Sequence, residues 1–304
     1  MENQFSKIIL GTVQLGMPYG VGRWANELMP EAEAFRILDA AWEMGITTLD
    51  TSPDYGLAEM RVAKYMKANP AKCFHIISKI KNIPLGKNYI SKVFNRWHAD
   101  CPFNGLDNCS SISILLHREH DICRQEISEH LNRMVYSGQV SRWGVSVYDE
   151  RYARIAASVD QCSVVQLPFS ALNQSFGRSG TIELASSSGK IVLARSVFLQ
   201  GLINSARHDF NASGSEKLRF IDSLLKSVKS VEPDLNDFCI KIALQESGVS
   251  NLVIGADTPE HVKAWIGAID ASNSKPISEK LLRQLRNFRD DALNPAKWKN
   301  RSIN

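Results

Sequence analysis

Four residues in the first half of the chain carry groups that can pass a proton: Asp50, Tyr55, Lys79 and His117. Three of them close a short apolar run: Ile46–Leu49 before Asp50, His75–Ser78 before Lys79, and Ile112–Leu116 before His117. Tyr55 follows Asp50 in the loop Thr51–Gly56. A phenol is a poor acid at neutral pH until its anion is stabilised. A neighbouring ammonium provides that stabilisation, and a carboxylate beside the ammonium holds it charged and in place. An imidazole facing the group can hydrogen-bond a carbonyl oxygen. Together the four could protonate a carbonyl oxygen as hydride arrives at its carbon. Each residue alone has a plainer use. Asp50 suits a turn or cap, Tyr55 a loop aromatic, Lys79 a solvent-reaching strand end and His117 a satisfied core position. Their joint placement is what favours chemistry.

That placement needs elements to make it. Short β-rich runs occur at Ile8–Val13, Thr47–Asp50, His75–Lys79, Ile112–His117, Trp143–Ser146, Val164–Leu167, Ile191–Arg195 and Leu252–Gly255. Their near-continuous hydrophobicity suits parallel strands buried on both faces. Helical periodicity fills the gaps. In Glu31–Met44, Ala34, Ile37, Leu38, Ala41 and Trp42 share a face, and Gly45 stops the helix. Arg124–Ser137 repeats the pattern and ends at Gly138, while Pro259–Ile269 begins after the cap residue Thr258. The polar stretch Asn204–Asp237 reads as an exposed loop and an extra helix before a helix over Leu235–Ser247. Strands alternating with helices predict a single-domain α/β (β/α)₈ TIM barrel over residues 1–304, with a helical and coil tail from about residue 277. The rival doubly wound sheet should carry a GxGxxG turn after its first strand, and none occurs. In a barrel, chemistry sits at the C-terminal strand ends, where Asp50, Lys79 and His117 fall on adjacent strands.

Composition narrows the function further. The chain has 304 residues, 44% of them hydrophobic, and a net charge of +4 from 36 basic and 32 acidic residues. The charges are well mixed, so nucleic-acid binding gains no support. No apolar run approaches the roughly 20 residues that span a bilayer. The N-terminus reads as a first strand rather than a secretory signal, and the six cysteines form no CxxC pair. The expectation is a cytoplasmic protein with reduced thiols, although Cys101 and Cys109 could bridge one loop.

The sequence resembles the aldo-keto reductases over most of its length. LGTVQLGMPYG is similar to that family's first strand and loop. Leu49-Asp50-Thr51 with Tyr55-Gly56 and Glu59 matches its most recognisable segment. Ile77-Ser78-Lys79 and Leu115-Leu116-His117 supply the remaining tetrad members. Leu131–Met134, Ser137–Val140 and Trp143–Ser146 resemble its fourth helix and fifth strand. The resemblance implies an oxidoreductase in which Tyr55 is the general acid, Lys79 and Asp50 tune it, and His117 orients the carbonyl. It implies a nicotinamide dinucleotide, usually NADPH, and no metal. Ser146 and Gln166 match positions that hold the carboxamide. Arg195 stands where many members stack an aromatic on the nicotinamide, and a planar guanidinium can stack as well. Ser196, Phe198, Gln200 and Gly201 match the loop that approaches the pyrophosphate.

The adenosine end follows the family less closely. Gly255, Ala256, Asp257 and His261 match a phosphate-receiving strand end and helix start. NADPH-selective members often place Lys or Arg there, and Asp257 would repel a 2′-phosphate if it pointed inward. NADPH is expected on family frequency, with NADH possible. Trp265 could stack on adenine or pack against the barrel. The loop Met17–Leu28 should overhang the pocket mouth, with Trp24 as a substrate wall or a core plug. The expected partner is a small carbonyl compound, with no nucleic acid or membrane involved. The second reading is a redox sensor that keeps cofactor binding and little turnover, which would not need the whole tetrad.

Overall fold

Eight parallel strands pair in chain order and close on themselves. They are β1 (Ile8–Gly11), β2 (Thr48–Asp50), β3 (Phe74–Ile80), β4 (Cys109–Leu116), β5 (Arg142–Ser146), β6 (Val164–Pro168), β7 (Ile191–Arg195) and β8 (Asn251–Gly255). Closure is made by β1 against β8, in register from Ile8↔Leu252 to Gly11↔Gly255. The architecture is the expected (β/α)₈ barrel. This computed structural model describes residues 5–20, 22–201, 203, 234–272, 277 and 285.

Strand ends differ from the sequence reading where side chains compete for the backbone. β1 stops at Gly11 rather than Val13. Thr12 turns aside, donating both its N–H and its hydroxyl to the Asp50 carbonyl, at 2.9 and 3.0 Å. The chain then winds one helical turn, α1 (Val13–Gly16). Gly16 is required there. A Cβ on it would lie 2.0 Å from the Tyr55 carbonyl oxygen, so only glycine lets α1 rest on the loop that carries Tyr55.

The helices follow their apolar faces. They include α2 (Glu31–Glu43), α3 (Ala58–Ala68), α4 (Lys87–Asp100), α5 (Gln125–Tyr136) and α6 (Glu150–Ser158). After β6 come two short helices, α7 (Ser175–Arg178) and α8 (Thr181–Ser187). α9 (Leu235–Gln245) precedes β8, and α10 (Pro259–Ser272) follows it. The side chain of Asp234 caps α9 by accepting from the N–H groups of Asn236 and Asp237. Most of the loop and extra helix expected over Asn204–Asp237 lies outside the described residues, as does most of the tail from about residue 277. All six cysteines are free, so Cys101 and Cys109 do not form the bridge their spacing allowed.

Two cores stand on either side of the sheet. The larger lies between strands and helices. The smaller joins Phe5, Ile9, Ile77, Leu115, Val164, Ile191, Leu193 and Val253 and fills the barrel bore. Burying each such aliphatic side chain stabilises the fold by roughly 1.5–3 kcal/mol. This inner cluster also sets the site. Side chains alternate along a strand, so residues two positions on share a face. Ile77 thus leads to Lys79, Leu115 to His117, Val164 to Gln166, Leu193 to Arg195 and Val253 to Gly255. The apolar bore ends in a polar rim at the C-terminal strand ends.

Candidate active site

Lys79 stands at the centre of that rim and is buried, as is Asp50 on the neighbouring strand. Its Nζ donates to Asp50 Oδ1 at 2.6 Å and to the Thr51 carbonyl at 2.9 Å. The same ammonium reaches the Tyr55 hydroxyl and lies 4.8 Å from the centre of the Tyr55 ring. Two acceptors, a carboxylate and a backbone carbonyl, thus hold the ammonium beside the Tyr55 ring. The Lys79 backbone is held as well, because its carbonyl accepts from Trp97 Nε1 at 3.1 Å. His117 follows β4, with its N–H bonded to the Ile80 carbonyl at 2.8 Å. Its Nδ1 lies 3.7 Å from Asp54 Oδ2, and Asp54 is itself paired with Lys81. The four expected proton-transfer residues thus sit together.

Their electrostatics differ in one respect from the sequence expectation. Burial pushes the Tyr55 phenol above its ordinary value, and Asp50 adds to the rise. Lys79 and Arg195 pull it down, but less than burial raises it. The phenol is therefore held protonated at neutral pH, as a proton donor must be. For Lys79, burial alone would lower the value, yet the Asp50 carboxylate, helped by Tyr55, outweighs it and holds the ammonium charged. Burial depresses the His117 imidazole below 6.5, helped by Lys79, Lys81 and Arg195, while Asp54 opposes them. His117 is consequently neutral at pH 7 and able to donate one N–H to a carbonyl. Replacing Asp54 with Asn removes the carboxylate that supports imidazolium. The His117 titration, followed by NMR, will move further below 6.5. An unchanged or rising value would refute this balance.

The strand ends on the far side form a second network. Gln166 is fully buried on β6. It donates from Nε2 to Asp50 Oδ2 at 2.8 Å, and its Oε1 accepts from Ser146 Oγ at 3.0 Å. Arg195 Nη2 donates to the Val147 carbonyl at 3.0 Å, and its guanidinium stacks on Tyr148, 4.0 Å from the ring centre. Tyr148 is held from below, since Glu119 Oε2 accepts the N–H groups of Tyr148 and Asp149. After β7 the chain turns left-handed at Ser196, Leu199, Gln200 and Gly201. Such conformations cost non-glycine residues about 1–3 kcal/mol each and persist where the surroundings fix them. Here Gly20 lies so close to the Gln200 carbonyl that a Cβ would approach within 2.5 Å. Phe198 packs against Trp265, with ring centres 6.4 Å apart. Trp265 is buried, so it is a packing residue rather than an exposed stacking surface.

The loop after β8 packs against the first loop. Ala256 is buried in the outer core, leaving only its backbone to meet a ligand. The Asp257 carboxylate turns to the first loop, where Oδ2 accepts the Arg23 N–H at 3.3 Å. Of the two uses open to Trp24, substrate wall or core plug, it takes the second: it is buried, and its Nε1 donates to the Asp257 carbonyl at 2.9 Å. The indole joins the first loop to the last because its apolar body finds the outer core and its N–H needs an acceptor. His261 Nδ1 lies 3.4 Å from the Asp257 N–H. The sequence reading missed Gln14, whose side chain covers Gly255; a Cβ there would meet Gln14 Oε1 at 2.2 Å. It also missed Tyr148, which carries no local signal beyond its place after β5.

Three buried polar atoms at this rim have no hydrogen-bond partner: Gln14 Oε1, Thr51 Oγ1 and His117 Nδ1. Buried polar groups are ordinarily satisfied, so unmet ones mark a place built for something else. Gln166 also retains one N–H and one acceptor lone pair. These groups suit an amide- and hydroxyl-bearing ligand such as a nicotinamide nucleotide. Among the described residues no group of three His, Cys, Asp or Glu could hold a metal ion.

Comparison with known proteins bears on this arrangement. The model of the aldo/keto reductase family matches residues 7–285. A comparison with curated proteins finds no match. Among solved structures, the holo form of an aldo-keto reductase from Bacillus halodurans superposes with a TM-score of 0.71 at 20% identity. That match covers 94% of this chain and 93% of the other. An aldo-keto reductase from Klebsiella pneumoniae, solved in complex with NADPH, gives 0.67 at 20% identity, covering 96% and 92%.

Proposed function

Because the chain belongs to the aldo/keto reductase family, we propose that it is an NADPH-dependent oxidoreductase reducing an aldehyde, ketone or sugar-like carbonyl to an alcohol. The observation that carries this reading is the convergence of Tyr55, Lys79, Asp50 and His117, with Lys79 hydrogen-bonded to Asp50 and in reach of the Tyr55 hydroxyl. When bound, the reduced nicotinamide supplies a hydride to the carbonyl carbon. His117, neutral, donates an N–H to the carbonyl oxygen and orients it. Tyr55 gives its phenolic proton to that oxygen and is left as phenolate beside Lys79. The ammonium stabilises the phenolate until solvent reprotonates it, and Asp50 keeps the ammonium in place. The reverse oxidation uses the same groups.

Residues on the far side would hold the cofactor. Ser146 and Gln166 would take the carboxamide, and Arg195 would present its face opposite Tyr148 to the nicotinamide. Ser196, Phe198, Gln200 and Gly201 would approach the pyrophosphate. Gly255, the Ala256 backbone, Asp257 and His261 would receive the adenosine end. An Asp257 turned to the first loop is compatible with a 2′-phosphate, which supports NADPH; NADH is the alternative. The reading takes the chain as one barrel domain acting in the cytoplasm on a small molecule, without metal.

A paired fluorescence titration with NADPH and NADH tests it, followed by a single turnover with a reactive aldehyde in the presence of a chelator. The expected results are tighter NADPH binding and oxidation of the bound cofactor, unaffected by the chelator. Binding without oxidation across a panel of carbonyls would replace the enzyme by a redox sensor on the same barrel. Loss of turnover on chelation would overturn the metal-free mechanism.

A further inference from the structure

Strands β2 and β6 stand opposite each other, four strands apart in either direction around the barrel. Yet the Gln166 side chain crosses the bore and donates to Asp50 Oδ2 at 2.8 Å. The other oxygen of that carboxylate holds Lys79 at 2.6 Å. The far end of the same amide is fixed by Ser146 Oγ at 3.0 Å. Every member of this chain is buried. A carboxylate gripped on both oxygens cannot rotate, so the position of the ammonium depends on the amide across the barrel. We propose that Gln166 is a positioning residue for proton transfer: it fixes Asp50 from across the bore and so couples occupancy of the carboxamide pocket to the Lys79–Tyr55 pair. This rests on the carbonyl-reductase reading and adds to it a second role for Gln166.

The coupling has a definite sign. Tyr55 is faced by Lys79 from β3, Asp50 from β2, Arg195 from β7 and Tyr19 from the first loop, while His117 and Glu59 face Lys79. Removing the Gln166 donor leaves the Asp50 charge less dispersed and loosens its hold on Lys79. Both changes favour the protonated phenol. In Gln166→Leu, the fall in reduction kcat at high pH therefore moves up by about half a pH unit or more, at saturating cofactor. In Gln166→Glu, the donor to Asp50 exists only while the new carboxyl is protonated. That variant therefore gains activity through a second titration on the acid side, in addition to the high-pH fall that the parent also shows.

The test measures kcat against pH for the parent and both variants. It also follows tyrosinate absorbance against pH without cofactor, with Tyr55→Phe as the background that isolates Tyr55. The expected result is an upward shift in both readouts for Gln166→Leu and the acid-dependent recovery in Gln166→Glu. If the variants weaken cofactor binding but leave both profiles where the parent has them, Gln166 is a cofactor ligand only and the proposal falls. A parent that binds cofactor without turnover would overturn the reductase reading, while the absorbance titration would still decide whether Gln166 governs Tyr55.

Discussion

Tyr55→Phe will abolish carbonyl reduction while the protein stays folded and binds its cofactor. The substitution removes one oxygen. The ring stays, and with it the surface over which the Lys79 ammonium lies, 4.8 Å from its centre. What is lost is the acid. A positioned general acid contributes about 10²- to 10⁴-fold, and the fall in kcat should lie in that range. No neighbour can substitute. Burial pushes the Tyr19 phenol far above its ordinary value. His117 is neutral at pH 7 and so lacks the extra proton an acid would give. Steady-state kinetics with cofactor binding by fluorescence will separate the two effects. A variant that keeps activity within about tenfold of the parent would remove Tyr55 from the acid's role.

The second large effect is on stability as much as on rate. Lys79→Met leaves Asp50 buried with no opposite charge, because Gln166 offers it only a neutral N–H. Breaking a buried ion pair from one side costs about 3–5 kcal/mol, the penalty falling on the stranded partner. Thermal or denaturant unfolding will show that loss. Removing both charges, as in Lys79→Met with Asp50→Leu, should recover most of it, since apolar replacement of a whole buried pair is close to neutral. Activity will not recover. Without the ammonium nothing offsets the burial that raises the Tyr55 phenol, so any residual reduction will lose its fall at high pH. A single variant as stable as the parent would mean that the pair is not the anchor described. A pH profile that matches the parent would refute the tuning of Tyr55 by Lys79.

Much of the site could be read along the chain because it is written in the period of a strand. Ile77-Ser78-Lys79 and Leu115-Leu116-His117 repeat one device, an apolar residue in the bore and a polar one two positions later on the same face. Val164 to Gln166 and Leu193 to Arg195 repeat it on the far side. The pleat fixes that alternation locally, so the sequence alone determined the eight strands, their order of appearance and the rim residues. Trp24 and Asp257 stay open along the chain for the complementary reason. Nothing local says that an indole N–H will find a carbonyl 233 residues away, or that a carboxylate will turn to the first loop rather than to a ligand.

The link between Gln166 and Asp50 belongs to the same class. It spans 116 residues and exists only because the sheet closes, bringing β6 across the bore from β2. Which side chains meet there depends on the pairing register between every pair of adjacent strands, a property of the whole ring. The sequence determined which groups point into the barrel, since that needs only the backbone of one strand. The tertiary structure decided which of them touch, because contact across a closed bore is fixed by all eight strands at once.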